Sequence, residues 1–110
     1  MPHATLSYSA DLDIDAPALL QEIEEILNAH DPGAGPCKGR AYPAQEFLHT
    51  HVLIRISALS KPHRDAAFTA ALLSDLEMRI KARLSQACYF TLAIDYSGPN
   101  YVTNRFTPEA

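Results

Sequence analysis

At 110 residues and 12.1 kDa the chain has room for a single domain over 1–110, with 47% apolar residues for a modest core. Its net charge of −4 is unevenly laid out: residues 1–37 hold seven Asp or Glu and no Lys or Arg, and residues 38–110 hold nine Lys or Arg against six Asp or Glu. That balance argues against nucleic acid as a partner, since phosphates call for a basic face, and no apolar run approaches the roughly 20 residues of a membrane span.

His3 to Tyr8 alternates, with Leu6 and Tyr8 on one side and Thr5 and Ser7 on the other, and reads as a short strand. Asp11, Asp13 and Asp15 form an acidic turn ahead of a helix, with Asp15 as N-cap and Pro17 in the first turn. Leu19, Leu20, Ile23, Ile26 and Leu27 make its apolar stripe. Asp31-Pro32-Gly33 stops it, and a Gly/Pro-containing loop is expected to run to about Gly39. A long strand is predicted at about Phe47–Ser57. It places Leu48, Val52, Ile54 and Ile56 on one face, and Phe47, His49, His51, Leu53 and Arg55 on the other. Lys61-Pro62 is expected to open a second helix reaching about Leu84, with Leu72, Leu73, Leu76, Ile80 and Leu84 inward. Tyr89 to Tyr96 is a further strand, followed by the turn Ser97-Gly98-Pro99-Asn100 and a tail extended at Tyr101–Phe106.

The order β-α-β-α-β, with a terminal strand in the tail, implies right-handed crossovers that put both helices on one face of one sheet. The fold class is therefore α/β in two layers, two helices against a four-stranded mixed sheet. The other sheet face, with Phe47 and Leu53 among His49, His51 and Arg55, has no helix to cover it. Burial against other subunits is expected there, and a domain this small also gains from association. The N-terminus lacks the basic stretch and apolar core of a secretory signal, so the expected location is cytoplasmic. Cys37 and Cys88, too far apart for a CxxC spacing, read as reduced thiols.

The sharpest chemical feature is Pro2, directly after Met1. Removal of Met1 would leave a secondary amine on a rigid ring at the start of a strand. Desolvation and nearby cations lower the pKa of such an amine and leave a neutral fraction able to act as a base near pH 7. While Met1 stays attached the same nitrogen is an amide and has no basic lone pair. The reading thus requires a mature chain that begins at Pro2.

Met1-Pro2-His3, the element layout and the length together resemble the tautomerase superfamily, and within it the 5-carboxymethyl-2-hydroxymuconate isomerase family. Gly39-Arg40, Ser60-Lys61-Pro62-His63-Arg64 and the tail Pro99-Asn100-Tyr101-Val102-Thr103-Asn104-Arg105-Phe106 support the likeness, which covers nearly the whole chain. The resemblance implies a homotrimer without a cofactor, serving aromatic-compound degradation. Its terminal proline would move a proton along a conjugated 2-hydroxydienoate that carries carboxylates. It implies Arg40 and Lys61 as the anion clamp beside Pro2, with Arg64 as the alternative nearby cation. Lys61 stands where family members can carry an arginine, and a lysine supplies charge without the planar fork. Tyr101, Arg105 and Phe106 would line a neighbouring subunit's pocket.

His49-x-His51 has a spacing that can chelate zinc, but a third ligand is missing, so no metal is expected and the pair reads as an interface feature. His30 and His63 read as helix-end residues. No GxSxG, HExxH, phosphate loop or dinucleotide fingerprint occurs, which excludes those enzyme classes. Two alternatives stay open: a non-catalytic ligand-binding or structural oligomer of the same fold, and a ferredoxin-like sensor module.

Overall fold

In the computed structural model, described here for residues 1–109, six elements follow one another. They are β1 (His3–Ser9), α1 (Ala16–His30), β2 (Lys38–Ala44), β3 (His51–Leu59), α2 (Ala66–Lys81) and β4 (Tyr89–Ser97). The sheet order is β2-β1-β3-β4. β1 runs parallel to β2 and antiparallel to β3, and β3 runs parallel to β4. Each parallel pair is joined by one helix, so the chain is two βαβ units set side by side through the antiparallel β1–β3 contact.

This topology decides between two of the alternatives. Ferredoxin-like modules share the βαββαβ order, but their βαβ units are split, with a strand lying between the two parallel ones. Here β1 pairs directly with β2 and β3 directly with β4, so the ferredoxin-like alternative is overturned.

The helices start where acidic caps meet free amides. Asp15 accepts from the Ala18 amide at 3.2 Å and Asp65 from the Phe68 amide at 2.9 Å. α1 buries Leu19, Ile23, Ile26 and Leu27; α2 buries the narrower stripe Leu72, Leu76 and Ile80. Both lie over Ala4 and Leu6 of β1 and Val52, Ile54 and Ile56 of β3, and together these residues form the core. Glu22 of α1 receives both Arg79, at 3.1 Å, and Arg83, and His30 meets Asp75 at 2.9 Å. These pairs tie α1 to α2 at the layer's outer surface.

Several boundaries differ from the sequence reading. The fourth strand is Lys38–Ala44, in what reads as loop, and the tail from Tyr101 to Phe106 carries no strand. β2 is an edge strand, where Pro43 removes no ladder bond that the sheet needs. Gly39 lets it come close to α1: a Cβ there would stand 3.0 Å from Leu20 Cδ2. β3 starts only at His51, because Phe47–Thr50 forms a bend in which His49 takes φ 62°. Phe47 and His49 therefore leave the sheet face expected for them. Finally, α2 begins at Ala66, since Lys61–Arg64 closes a turn through the Arg64 amide and Lys61 carbonyl at 3.0 Å, and it ends at Lys81 rather than near Leu84.

The helix-free face is consequently more polar than expected. Register places Thr5, Arg40, Arg55 and Ala93 in one row across it, and Leu53 beside Ser7 and Thr91. Large apolar groups are instead exposed in the bend and the tail, with Leu48 at 81%, Val102 at 87% and Phe106 at 82% exposure.

Candidate functional site

One step before the β1 pairing begins, Pro2 continues the helix-facing series Ala4 and Leu6. The same register brings it beside Ala58 of β3, and Ala58 pairs with Tyr96 of β4. Pro2, Ala58 and Tyr96 thus form a row across three strands at one end of the sheet. Pro2 is fully buried, and the Lys38 amide donates to its carbonyl at 3.0 Å.

A narrow cavity of about 20 Å³ opens at this row, room for about one water. Arg64 and Asp31 supply its charged lining, with Ile56, Phe68 and Ile94 supplying apolar walls. Arg64 reaches it from the turn ahead of α2, and Asp31 from the C-terminal cap of α1. Asp31 Oδ2 accepts from Arg64 Nε at 3.0 Å and from Arg64 Nη2 at 2.8 Å, and lies 3.0 Å from His63 Nε2. Arg64 Nη1 donates to the Leu59 carbonyl at 2.5 Å. These contacts use three of the five N–H groups of the guanidinium and leave two.

Burial acts to raise the Asp31 pKa, but the hydrogen bonds from His63 and Arg64 and the Arg64 charge outweigh it and hold the carboxyl at about 2. Asp31 is therefore ionised at any neutral pH and fixes Arg64 in place. On β4, the Tyr96 hydroxyl shares a 2.6 Å hydrogen bond with Thr69 Oγ1 of α2.

The field at this end of the sheet is positive. The Met1 amino group is held below its usual pKa by burial first, and then by Lys38, Lys61 and Arg64. His3 is likewise lowered, by burial and then by Lys38, Arg40 and the N-terminus. A second, roomier cavity of about 330 Å³ adjoins the N-terminus, lined by Met1, Pro36, Lys38, Asn104 and Arg105.

Of the residues expected to form the site, the structure brings Arg64 to Pro2 and Arg105 to Met1. Lys61 contributes charge near the N-terminus without lining either cavity. Arg40 lies on the helix-free face, opposite Thr5, and Pro2 faces the helices; one chain does not bring the two together. Tyr101 is half-buried and Phe106 exposed, and neither lines these cavities. His49 lies outside the strand that carries His51, so the pair does not share a strand face; His51 Nδ1 lies 2.7 Å from the His49 carbonyl.

The sequence reading missed Asp31, Tyr96 and Lys38 as site residues. Strand alternation in 89–96 does put Tyr96 on the Ile94 face, but its partner Ala58 becomes visible only with the register. Asp31 stands 33 positions from Arg64, and no local pattern links them.

Comparison with known proteins agrees on the fold. No model of a known protein family matches the sequence, and no curated protein does. Solved structures of the tautomerase superfamily share its architecture over nearly the full length. A 5-carboxymethyl-2-hydroxymuconate isomerase from Deinococcus radiodurans R1 is 22% identical, covering 94% of this chain and 90% of its own, with TM-score 0.58. The FG41 malonate semialdehyde decarboxylase, inhibited by 3-bromopropiolate, is 11% identical over 96% and 90%, with TM-score 0.71. A fused 4-OT symmetric trimer is 16% identical over 94% and 93%, with TM-score 0.69. At these identities the shared property is the fold, which is that of tautomerase-superfamily structures.

Proposed function

We propose that the protein is a cofactor-independent tautomerase that moves a proton on an unsaturated 2-hydroxy or 2-keto acid, with the ring nitrogen of Pro2 as base and then acid. One observation carries the reading: Pro2 is buried at a sheet end where burial and three cations already depress the amine one residue upstream. Once Met1 is removed, the Pro2 nitrogen becomes that amine. The same desolvation and the same charges then favour its neutral, basic form.

In the proposed reaction, the neutral nitrogen accepts the proton of the 2-hydroxyl. The electron pair spreads over the conjugated carbons as a dienolate, and the ring N–H⁺ returns the proton to carbon, leaving the 2-ketone. Arg64, with two N–H groups unused, binds the acid beside the 2-oxygen and stabilises the charge that develops there. Lys61 adds to the attractive field. A precedent for the substrate is the 5-carboxymethyl-2-hydroxymuconate isomerase of like fold.

We place the active form in a homotrimer, as in the fused 4-OT symmetric trimer. The exposed Leu48, Val102 and Phe106 would gain most from a second copy. Arg40, on the helix-free face, could serve a site only by reaching it across such an interface.

The test joins mass spectrometry with kinetics. The mature chain is expected to begin at Pro2 and to ketonise 2-hydroxymuconate-type dienols, followed in the ultraviolet. Pro2→Ala should lower kcat by about 100-fold or more, the usual size of a general-base contribution. Equal rates for Pro2→Ala and wild type would reject the proline as base.

A further inference from the structure

We propose that His63 is a pH-dependent charge switch on the Arg64 site, whose protonation turns the neutral Asp31–Arg64 pair into a cationic cluster and strengthens binding of an acid as pH falls. The proposal rests on Arg64 as the group that binds the acid beside Pro2.

The geometry leads to it in three steps. First, three donors converge on one oxygen. Asp31 Oδ2 takes Arg64 Nε at 3.0 Å, Arg64 Nη2 at 2.8 Å and His63 Nε2 at 3.0 Å, while Oδ1 takes only the Gly33 amide, at 3.3 Å. An ionised carboxylate can only accept, so His63 Nε2 carries its proton whether the ring is neutral or charged. The titrating atom is then Nδ1, which has no hydrogen-bond partner among the described residues. The Nε2 bond stays in place on either side of the titration, and only the charge changes.

Second, the two groups that His63 joins keep their charges near neutral pH. Asp31 is held at about 2, and a guanidinium stays protonated. An imidazole ordinarily changes charge between pH 5 and 8. The cluster of Asp31, Arg64 and His63 therefore passes from neutral to singly positive as pH falls across that range. Lys61 precedes it and Asp65 follows it in the chain, and the N-terminal amine shares the field of Lys61 and Arg64. These neighbours are common to wild type and to any His63 variant.

Third, the added charge lands beside the site. Asp31 and Arg64 line the inner cavity at Pro2 and are shielded from solvent, whereas the His63 side chain is 52% exposed and open to it. Its ring also meets Phe68, an apolar wall of that cavity, edge-on with 5.8 Å between centroids. Asp31 is shared between the two cations. A charged His63 draws on the same carboxylate, so the two unused N–H groups of Arg64 face an acid with less of their charge offset.

His63→Gln keeps a donor for Asp31 but cannot titrate, and it is expected to fold because the residue is exposed. The mature protein is titrated by calorimetry at pH 8 and pH 5.5 with hexanoate, which cannot react. Wild type should gain about 3- to 5-fold more affinity than His63→Gln over that fall in pH, the upper range for a solvent-exposed ion pair. Hexanamide, the uncharged counterpart, should bind the two proteins alike. By reciprocity, saturating hexanoate should raise the proton affinity of His63, followed by NMR, by the same factor of about 3 to 5. An equal gain in both proteins, or a His63 titration that hexanoate leaves unmoved, overturns the switch. A gain lost in His3→Gln and kept in His63→Gln overturns it too, since His3 is another titratable group at this end of the sheet. Absence of hexanoate binding at both pH values overturns the switch together with Arg64 as the acid-binding group. Pro2→Ala reads the proton transfer separately. If it is inactive while His63→Gln gains as much as wild type, only the switch fails. If it is fully active, the proton-transfer reading fails, and the hexanoate comparison still decides the switch because nothing in it reacts.

Discussion

Replacing Asp31 by Asn should cost stability that depends on pH in a defined way. The carboxyl, only 11% exposed, titrates at about 2 in the folded protein against an ordinary 3.8. Each tenfold change in proton affinity is worth about 1.4 kcal/mol, so ionised Asp31 contributes about 2 kcal/mol at neutral pH. The variant also leaves the Arg64 guanidinium, 5% exposed, with the Leu59 carbonyl and a neutral amide. Stranding a buried charge costs up to about 3–5 kcal/mol, and the remaining amide oxygen moderates that, so a loss of about 2–4 kcal/mol is expected at pH 7. The sign follows from a depressed pKa: the contribution is complete above 3.8 and fades as pH falls toward 2. At pH 3 about half of that contribution survives, and at pH 2 little of it remains. Urea unfolding followed by circular dichroism from pH 7 to pH 2, at fixed subunit concentration, measures the gap between wild type and Asp31→Asn. The gap should narrow by about 2 kcal/mol over that range. A constant gap, or one under about 0.5 kcal/mol at pH 7, would refute the ion-pair account of how Arg64 is held.

Burial, reinforced by Glu24 and opposed by Lys38, pushes the Cys37 thiol up to about 11. Iodoacetamide should therefore label Cys37 about 100-fold more slowly at pH 8 than an unperturbed thiol, with the rate climbing toward pH 11; ordinary labelling speed at pH 8 would contradict this. Tyr96→Phe removes the partner of Thr69 and should lower unfolding free energy by about 0.5–1.5 kcal/mol in a denaturant titration. Light scattering should return about three times the 12.1 kDa chain mass, and Leu48→Ser with Phe106→Ser should shift it toward monomer; a wild-type monomer would remove the trimer.

What the sequence made legible is what a local pattern can carry. The stripe Leu19, Ile23, Ile26 and Leu27 and the Asp15 cap marked α1 almost to the residue, and Asp31-Pro32-Gly33 marked its end. Alternation in 89–96 marked β4. The hidden strand was β2, because Lys38-Gly-Arg-Ala-Tyr-Pro-Ala has neither alternation nor β-branched residues. Its place is fixed from outside, by seven register pairs with β1 and by a glycine that admits Leu20. Phe47 to Thr50 failed in the opposite direction: an apolar alternating run reads as strand, and His49 at positive φ ends the pairing.

The site obeys the same division. Pro2 stands out in the sequence because the chemistry proposed for it depends on its position in the chain, next to Met1, and needs no partner to be named. The groups around it come from four separate places: the cap of α1, the turn before α2, the end of β4 and the start of β2. Each is unremarkable locally, since Asp31 reads as a helix stop, Arg64 as one of several cations and Tyr96 as a core aromatic. They meet because the two βαβ units run antiparallel, so β1 and β2 begin at the end of the sheet where β3 and β4 finish, and residues far apart in the chain become neighbours. Arg40 shows the converse. Two positions beyond Lys38 along β2 it shares that residue's face, yet it stands opposite Thr5 and Arg55, away from Pro2. A cation that counts toward the pocket by motif therefore counts by geometry toward the helix-free face, and only contact between chains could return it to a site.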